Sequence, residues 1–152
     1  MPNMKKVEKT HFDVIVIGGG PAGMMAAGRA GERGKSVLLL EKNKTLGKKL
    51  DMTGGGRCNI TNAEYDIHEF LKHYSTAKNY LYSPFSRFGV KNTFEFFESR
   101  NLPLVIEARK RAFPNTQKAT DVSRIMKQYI ADNGVTVKTG AVVGKVSAIG
   151  GK

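Results

Sequence analysis

Apolar and polar positions fall into blocks near the start of the chain, and these blocks predict a strand, a helix and a second strand. Phe12–Ile17 is a short apolar run rich in β-branched residues, which is typical of a strand buried on both faces. An Ala- and Met-rich segment predicts a helix over Pro21–Arg33, with Gly34 as its stop. Lys35–Leu40 predicts the second strand, so the block as a whole predicts a right-handed parallel βαβ unit.

Downstream of this unit the pattern predicts a polar loop, then helices, then more strands. Residues 42–62 are polar and rich in glycine, which predicts a long loop with one helical turn around Lys48–Met52. The middle of the chain is predicted to contain a helix over Ile67–Tyr74, breaks at Ser83-Pro84 and Phe88-Gly89, and a helix capped by Asn92-Thr93. A strand at Leu102–Glu107 and a basic turn at Arg109–Pro114 follow. The last predicted elements are a helix at Ala119–Asp132 capped by Thr120, a stop at Asn133-Gly134, strands at Val135–Thr139 and Ala141–Ile149, and a hairpin turn at Gly150–Lys152.

Five phenylalanines lie within or beside the predicted helices of the middle of the chain: Phe85, Phe88, Phe94, Phe96 and Phe97. We interpret this cluster as core, with a platform for stacking nucleic-acid bases as the alternative. The alternation of strands and helices predicts an α/β fold with a Rossmann-like parallel sheet.

Composition narrows the class of protein. The 152 residues are enough for one ordinary domain, and 40% of them are hydrophobic. No apolar run approaches the roughly 20 residues needed to span a membrane, and residues 1–11 form a polar lead-in without the apolar region of a signal peptide. Cys58 is the single cysteine, which excludes an intramolecular disulfide and predicts a reducing, cytoplasmic setting. With three histidines and this one thiol, no metal site is expected.

The charge of the chain is strongly positive, with 25 Lys and Arg against 13 Asp and Glu and a formal net charge of +12. Such an excess attracts polyanions. The basic residues are spread along the chain, with modest concentrations at Lys42–Lys49 and Arg109–Arg111. One interpretation is a solvated surface that also helps to hold a cofactor's phosphates, and the other is a surface that faces RNA. The charge by itself favours the first.

A glycine motif joins the first predicted strand to the first helix. Gly18, Gly20 and Gly23 have the spacing G-x-G-x-x-G. In such a motif the first glycine allows a tight turn, the second allows a pyrophosphate to approach the backbone, and the third allows the helix to pack closely on the strand. Pro21 suits the first helical position, where its missing N–H costs little. The positive end of the helix dipole then faces the phosphates.

An acidic residue ends the second predicted strand. Glu41 follows Gly23 at about the distance at which an acid binds the ribose hydroxyls in dinucleotide-binding folds. This favours an unphosphorylated ribose, as in FAD or NAD, over NADP. A glycine-rich turn that binds nothing is the alternative, but strand, helix and acid together favour a nucleotide site.

A second glycine run lies in the predicted loop. Gly54, Gly55 and Gly56 are consecutive and are followed by Arg57. Three such glycines indicate another place where backbone approaches a ligand closely, with a cation nearby. A surface role for Arg57 is the alternative.

Several segments taken together are more specific than the glycine spacing. They are IGGGPAG at 17–23, LLLEK at 38–42, LGKKL at 46–50, TGGGRCNITN at 53–62, and Ala112-Phe113-Pro114 followed by Lys118–Val122. This combination resembles the bacterial HI0933-like family of flavoproteins, also labelled YhiN-like, BaiN-like or aminoacetone oxidase-like FAD-binding enzymes. The resemblance runs from about Phe12 to the end of the chain, with Pro21 in place of a common alanine.

The resemblance implies an FAD-dependent oxidoreductase whose FAD domain carries inserted β-rich and helical domains. By it, the glycine turn and Glu41 hold the ADP half of FAD, the two later loops run along the pyrophosphate toward the flavin, and Val143 contacts adenine through its backbone. The cofactor-binding residues implied are Gly18, Gly20, Pro21, Ala22, Gly23, Glu41, Lys42, Gly47, Lys48, Lys49, Thr53, Gly54, Gly55, Gly56, Arg57, Cys58, Asn59 and Val143.

The activities attributed to the family are reduction of conjugated C=C bonds, in bile-acid derivatives or in a uridine of ribosomal RNA, and oxidation of small amines. We expect hydride transfer through the flavin, with reduction of a C=C bond favoured, an amine oxidase as the alternative, and NAD(P)H as a possible electron donor. Cys58 is a weak candidate for a proton donor beside the flavin, and a structural thiol is the favoured interpretation.

Family members are more than twice this length, and their C-terminal part closes the FAD domain. The sequence is therefore expected to be an N-terminal fragment, with residues 12–152 forming the first part of the FAD-binding domain. An RNA-binding module and an inactive fragment are the hypotheses of another class.

Overall fold

The computed structural model describes residues 10–148, which form two compact units. One unit contains the residues up to Gly47 and those from Met126 onward, and the other contains Lys48–Ile125. In chain order the elements are β1 (Val14–Ile17), α1 (Pro21–Glu32), β2 (Val37–Glu41), a 3-10 turn (Leu50–Gly56), β3 (Thr61–Asn62), α2 (Ile67–Lys72), a 3-10 turn (Ser75–Ala77), α3 (Lys78–Arg87), α4 (Val90–Glu98), β4 (Leu104–Glu107), a 3-10 turn (Ala108–Lys110), β5 (Arg111–Pro114), α5 (Ala119–Asp132) and β6 (Thr136–Thr139). None of the helices within residues 10–148 has the length and apolarity that a membrane crossing requires.

The first unit is built on a parallel sheet of three strands in the order β1-β2-β6. Val14 is in register with Val37, and Leu39 is in register with Val137. The side chains of Val37 and Leu39 in the middle strand are almost fully buried, but Ile15 and Ile17 of β1 are 56% and 58% exposed. The prediction that the first strand is buried on both faces is therefore wrong for residues 10–148, because its alternate side chains are exposed. The predicted parallel βαβ unit and the predicted α/β class are both confirmed.

Two glycines of α1 allow a close approach to the segment 126–134. A Cβ atom on Gly28 would lie 2.1 Å from Cε1 of Tyr129, and one on Gly31 would lie 2.4 Å from the carbonyl oxygen of Asn133. The Tyr129 hydroxyl donates to the Glu32 carboxylate over 2.9 Å, and burial raises the pKa of this tyrosine. Glycine is a poor helix former, so two glycines inside α1 are a signal of close packing that was missed at the level of the sequence.

The second unit contains an antiparallel sheet in the order β3-β5-β4 and the helices α2, α3 and α4. Phe70, Leu71 and Val90 form a buried cluster in this unit. The predicted aromatic core is largely confirmed, since Phe96 and Phe97 are buried and Phe85 and Phe94 pack on the cluster. Phe88 is the exception and is 38% exposed.

Two predicted boundaries in the helical region are wrong. Helix α3 runs from Lys78 to Arg87 with Pro84 inside it, so the proline removes one backbone hydrogen bond without ending the helix. Asn92-Thr93 does not cap α4, which begins at Val90 after Gly89. Asn92 instead accepts a hydrogen bond from the Gly89 N–H over 3.0 Å, as the third residue of a capping box does.

The predicted basic turn at Arg109–Pro114 is correct for its first two residues and wrong for Arg111–Pro114. The turn covers Ala108–Lys110, and Arg111–Pro114 is the middle strand of the antiparallel sheet. Ala112 and Phe113 are buried there, so pairing on both sides outweighs the local turn signal. Thr120 is also not a cap, because α5 already begins at Ala119.

The predicted loop 42–62 contains the 3-10 segment Leu50–Gly56, which is interrupted because Thr53 is extended and Gly54 and Gly55 are left-handed, and it ends in the short strand β3. The strand predicted at Ala141–Ile149 is wrong as far as residue 148, since residues 141–148 have no regular structure. The segment is rich in valine, which is typical of a strand, but Val142 and Val146 are exposed and no partner strand pairs with them among residues 10–148. Ile149 and the predicted hairpin turn Gly150–Lys152 lie outside the described residues.

Candidate functional site

The glycine turn leaves β1 by a conformation that an L-residue with a side chain rarely adopts. Gly18 has φ +103°, and its N–H donates to the Leu40 carbonyl over 2.8 Å. The backbone therefore turns sharply while it remains tied to the neighbouring strand. Gly18 therefore allows the tight turn that is predicted for the first glycine of the motif.

The other two glycines of the motif differ in their surroundings. A Cβ atom on Gly20 would meet no heavy atom within 4 Å, so the space beside this backbone is open. A Cβ atom on Gly23 would lie 1.8 Å from the carbonyl oxygen of Gly18 and 3.1 Å from its carbonyl carbon. Gly20 thus leaves room for a group from outside the protein, and Gly23 is required by the packing of the turn on α1.

Helix α1 presents an uncapped N-terminus at this opening. Pro21 is its first residue, as predicted, and Gly20 in the extended conformation precedes it without a capping side chain. The N–H groups of Ala22 and Gly23 lie in the first turn, where an α-helix offers them no partner. The first turn carries no acidic residue, so its partial positive charge is not compensated locally. The donor set and the open space fit a phosphate group.

Glu41 lies at the end of β2 and is buried, with 7% of its surface exposed. Its Oε2 accepts a hydrogen bond of 2.6 Å from the N–H of Gly19. Its Oε1 accepts bonds of 2.7 Å from the Asn43 N–H and 2.6 Å from the Asn43 side-chain amide. The carboxylate therefore ties the glycine turn to the end of β2.

These hydrogen bonds determine the charge of Glu41 and the number of further hydrogen bonds that its carboxylate can accept. The backbone N–H groups of Asn43 and Gly19 hold its pKa below the ordinary value, against the opposing effect of burial. A carboxylate offers about four lone-pair sites, and these three donors leave about one for a ligand hydroxyl. Binding of a ribose by Glu41 stays a prediction.

Sequence reasoning missed two residues that shape this turn. Gly19 occupies an unspecified position of the motif, yet a Cβ atom there would lie 2.3 Å from Cδ2 of Leu46. Asn43 supplies two of the three donors to Glu41. The adjacency of Gly19 to two motif glycines was the signal for the first. No sequence signal marked Asn43.

Gly47 lies beside the glycine turn, as the prediction requires. Its N–H donates to the Gly19 carbonyl over 2.9 Å, and its φ is +76°. Lys42 is exposed and contributes a favourable charge to Glu41. Val143 is half-buried in the irregular segment that follows β6, and its contact with adenine stays a prediction.

The second glycine run belongs to the second unit, together with the exposed Lys48 and Lys49. Gly54, Gly55 and Gly56 have φ of +56°, +66° and +82°, so all three lie in the left-handed region. A Cβ atom on Gly54 would lie 2.8 Å from the Asn59 nitrogen, whereas Gly55 and Gly56 face open space. Successive N–H groups in such a conformation form an anion-binding concavity.

The loop is closed by contacts from its own ends. The Thr53 hydroxyl donates to the Leu50 carbonyl over 2.8 Å, and the Cys58 N–H donates to the Thr53 carbonyl over 3.0 Å. The exposed Asn59 follows Cys58, which has φ +60°. The chain thus holds the glycines in place although their own surfaces are exposed.

Arg57 is a partly exposed cation that is paired within the second unit. Its Nη1 donates to both carboxylate oxygens of Glu107, over 2.9 and 3.1 Å, and to Gln117 over 2.9 Å. The guanidinium carbon lies 4.1 Å from the centre of the Phe113 ring. The charge of Arg57 is shared with Glu107, and the side chain is 37% exposed, so a contact of Arg57 with a ligand stays a prediction beside the alternative of a surface role.

The Cys58 thiol is buried, with 5% of the residue's surface exposed. Burial raises the pKa of the thiol, while a hydrogen bond with Thr53 lowers it. The raised pKa keeps the thiol protonated at neutral pH, which is typical of a structural cysteine. Proton donation by Cys58 stays a prediction.

Comparison with known proteins gives the family. A family model described as "HI0933-like protein Rossmann domain" matches residues 12–152. The chain belongs to this family. The resemblance inferred from the glycine segments is therefore confirmed.

Two proteins of known name are similar to this chain in sequence. A 3-dehydro-bile acid delta(4,6)-reductase from Clostridium scindens is 33% identical over 132 residues, which make up 84% of this chain and 31% of the reductase. A ribosomal RNA dihydrouridine synthase from Escherichia coli is 46% identical over 61 residues, 40% of this chain and 15% of the synthase. The chain thus spans less than a third of the length of either relative.

A solved structure shares the fold at low sequence identity. The 3-ketosteroid-delta4-(5alpha)-dehydrogenase from Rhodococcus jostii RHA1 matches with a TM-score of 0.61 and 16% identity, over 89% of this chain and 39% of the dehydrogenase. This likeness supports the Rossmann-type fold.

Proposed function

We propose that this chain is the FAD-binding part of a flavin-dependent oxidoreductase that reduces a conjugated C=C bond. The observation that carries the proposal is the opening at Gly20. A Cβ atom there would meet nothing within 4 Å, and the uncapped N-terminus of α1 borders it. An opening of this kind next to unpaired N–H groups suits a pyrophosphate.

The residues of the first unit divide the binding of the ADP half between them. The first-turn N–H groups of Ala22 and Gly23 donate to phosphate oxygens, and Gly20 permits their approach. Glu41, ionised because its pKa is lowered, uses its remaining lone pair for a ribose hydroxyl. A 2′-phosphate would meet that negative charge, so an unphosphorylated ribose is favoured.

The loops after Leu46 are proposed to continue the site. We propose that Gly47, Lys48 and Lys49 contact the pyrophosphate and that the left-handed run from Gly54 to Gly56 offers N–H groups to the cofactor. The bound flavin supplies hydride transfer, which no side chain can perform. The protein's part is to orient the ring and to exclude competing reactions.

The class of reaction is proposed from the printed names of the relatives. One is a reductase of a bile-acid derivative and the other a dihydrouridine synthase, so both names describe addition of hydrogen across a double bond. We therefore propose an electron-poor C=C bond as the acceptor and NAD(P)H as the donor. The reduced, buried thiol of Cys58 is compatible with the cytoplasm, which is the compartment we propose.

A binding titration with a matched pair of variants tests the site. Flavin fluorescence is recorded while the full chain is added to FAD, for the wild type, for Gly20→Ala and for Gly144→Ala. Gly20 and Gly144 both have open space at Cβ and neither has a positive φ, so neither methyl group strains the fold. We expect Gly20→Ala to weaken FAD binding at least tenfold, because the methyl group takes the place of a phosphate oxygen.

The control Gly144→Ala should leave the affinity within about twofold of wild type. The free energy of unfolding of both variants, measured by thermal unfolding, should stay within about 1 kcal/mol of the wild-type value. Wild-type protein that does not quench FAD fluorescence, or equal affinity of all three proteins, would overturn the proposal.

A further inference from the structure

The guanidinium group of Arg57 is held by side chains from a distant part of the sequence. Its Nη1 donates to Glu107 and to Gln117, which lie 50 and 60 positions further along the chain. Glu107 is the last residue of β4, and Gln117 lies between β5 and α5. Both hydrogen atoms of Nη1 therefore have acceptors, and two separate segments of the second unit fix this end of the guanidinium.

The other donors of Arg57 are available to a ligand. Nε and Nη2 carry three N–H groups, and no residue within 10–148 accepts a hydrogen bond from them. The side chain is 37% exposed, so solvent can reach these groups. A guanidinium that is fixed at one end presents its remaining donors in a defined direction, which suits the oxygen atoms of an anion.

The ring of Phe113 places Arg57 beside the second glycine run. The guanidinium carbon lies 4.1 Å from the centre of this ring. Cε1 of the same ring lies 3.1 Å from the position of a Cβ atom on Gly54. Phe113 is almost fully buried and is therefore a fixed support for both groups. The donors of Arg57 thus lie next to the anion-binding concavity of Gly54–Gly56.

Two residues next to Arg57 have a backbone conformation that side chains disfavour. Cys58, which follows Arg57, has φ +60°, and Gln117, which accepts its hydrogen bond, has φ +56°. In this region the Cβ atom of an L-residue lies too close to a carbonyl oxygen. Such residues persist where the surroundings fix them, and they are frequent at ligand-binding sites. This strain indicates that the position of Arg57 serves more than packing.

The charges around Arg57 give little net attraction for an anion. Arg111 Nη2 lies 4.0 Å from Oε2 of Glu107, so this carboxylate is shared between two arginines. Of the neighbouring acidic residues, Glu64 is paired with a lysine, whereas Asp51 bonds to a serine and keeps its charge uncompensated. Binding of an anion here depends on the direction of the hydrogen-bond donors more than on net charge.

We propose that Glu107 and Gln117 are positioning residues, which hold Arg57 beside Gly54–Gly56 so that the guanidinium and the glycine run bind one anionic group together. The guanidinium donates from Nε and Nη2, and the run donates its N–H groups. The inference rests on the proposed function, in which this group is a phosphate of FAD. It adds that the carboxylate of Glu107 promotes the binding of an anion, because it fixes the direction of the donors.

Binding to the full chain is measured by flavin fluorescence with FAD and by calorimetry with inorganic pyrophosphate. By charge alone, Glu107→Ala would strengthen the binding of both ligands, since it removes a negative charge. We expect it instead to weaken binding on the order of fivefold, and Arg57→Gln to weaken it on the order of tenfold. Glu107→Gln should recover most of the loss, because its amide oxygen still accepts from Nη1.

A double variant separates positioning from a structural role. In Arg57→Gln protein, the further change Glu107→Ala should alter the affinity by less than about twofold, because no guanidinium remains to be positioned. A structural Glu107 would lower the affinity by the same factor in both backgrounds. Glu95→Ala is the matched control, since Glu95 is in the same unit, pairs with Lys91 over 3.8 Å and is 57% exposed. The control should bind like wild type.

A variant of the second positioning residue tests the same point without loss of stability. Gln117→Gly removes the acceptor of Arg57 but relieves a left-handed backbone. Urea unfolding should therefore show a stability close to that of wild type, whereas the affinity for both ligands should fall on the order of threefold. A residue that only stabilises the fold would not lower affinity while stability is kept.

Unchanged or stronger binding by Glu107→Ala, equal losses with and without Arg57, or a wild type that binds neither ligand would overturn the proposal. If pyrophosphate binding shows the expected coupling but FAD is not bound, the proposed function fails and the positioning role stands. If Gly20→Ala weakens FAD binding and Glu107→Ala does not, the proposed function stands and the positioning role fails.

Discussion

The two glycine runs of this protein look alike in sequence but are required for different physical reasons. In the turn Gly18–Gly23, Gly23 is required because a Cβ atom would lie 1.8 Å from a backbone oxygen. In the run Gly54–Gly56, all three glycines have positive φ, and two of them face open space. In the first run Gly18 is required by its backbone conformation and Gly23 by packing, whereas in the second run all three positions require a left-handed backbone and only Gly54 is also closely packed.

The two runs are also fixed by different partners. A buried carboxylate, Glu41, holds the first through the Gly19 N–H. Backbone bonds within the loop, such as that from the Cys58 N–H to the Thr53 carbonyl, hold the second. The comparison teaches that glycine-rich sequence does not by itself mean a flexible loop.

The largest effect is expected from Gly23→Ala. The added methyl group must displace the Gly18 backbone, which cannot move without breaking the turn, so we expect a loss of about 3 kcal/mol or more in the free energy of unfolding. Urea unfolding followed by circular dichroism measures this, with Gly144→Ala as control. A Gly23→Ala protein as stable as the control would show that the turn is not closely packed.

An intermediate effect is expected from Gly54→Ala. The substitution combines the cost of a left-handed residue with a Cβ atom 2.8 Å from the Asn59 nitrogen, and we expect a loss of about 2 kcal/mol. Gly55→Ala has a similar φ of +66° but no neighbour within 4 Å, so it should lose about 1 kcal/mol. The same urea experiment compares them, and Gly55→Asn should recover part of the loss. Equal losses at the two positions would mean that the left-handed backbone conformation alone accounts for the loss of stability.

A further effect, smaller than that of Gly54→Ala, concerns pH and Glu41. Because the folded protein lowers the pKa of Glu41, its contribution to stability is complete above the unfolded value of about 4.3 and is lost as the pH falls through the folded value. Glu41→Gln should cost about 1.5 kcal/mol at pH 7, the range for hydrogen bonds to a charged group.

The difference between wild type and Glu41→Gln should narrow as the pH is lowered from 7 to about 3 in urea unfolding experiments. Glu64 and Asp66 also have lowered pKa values and contribute to acid sensitivity in both proteins. Their contribution cancels in the difference. A difference that stays constant with pH would mean that the charge of Glu41 does not hold the turn.

The sequence predicted best where one local pattern is sufficient. Helix α5 was predicted at Ala119–Asp132 and observed there, because its apolar positions follow one helical face. Prediction of secondary structure was poorer where pairing with neighbouring strands determines whether a segment forms a strand. Arg111–Pro114 resembles a basic turn locally, but pairing with β3 and β4 makes it a central strand. Residues 141–148 are rich in valine like a strand and yet have no partner strand among the described residues.

For the candidate site, the sequence by itself determined the glycine turn, the helix that begins at Pro21 and the acid at the end of β2. These follow from residue type and spacing, since a missing Cβ atom and a fixed φ act locally. Only the tertiary structure decided that Glu41 is bonded to Gly19 and Asn43 and that Arg57 is paired with Glu107. Such contacts join residues distant along the chain or depend on how the backbone turns, and no local pattern encodes them.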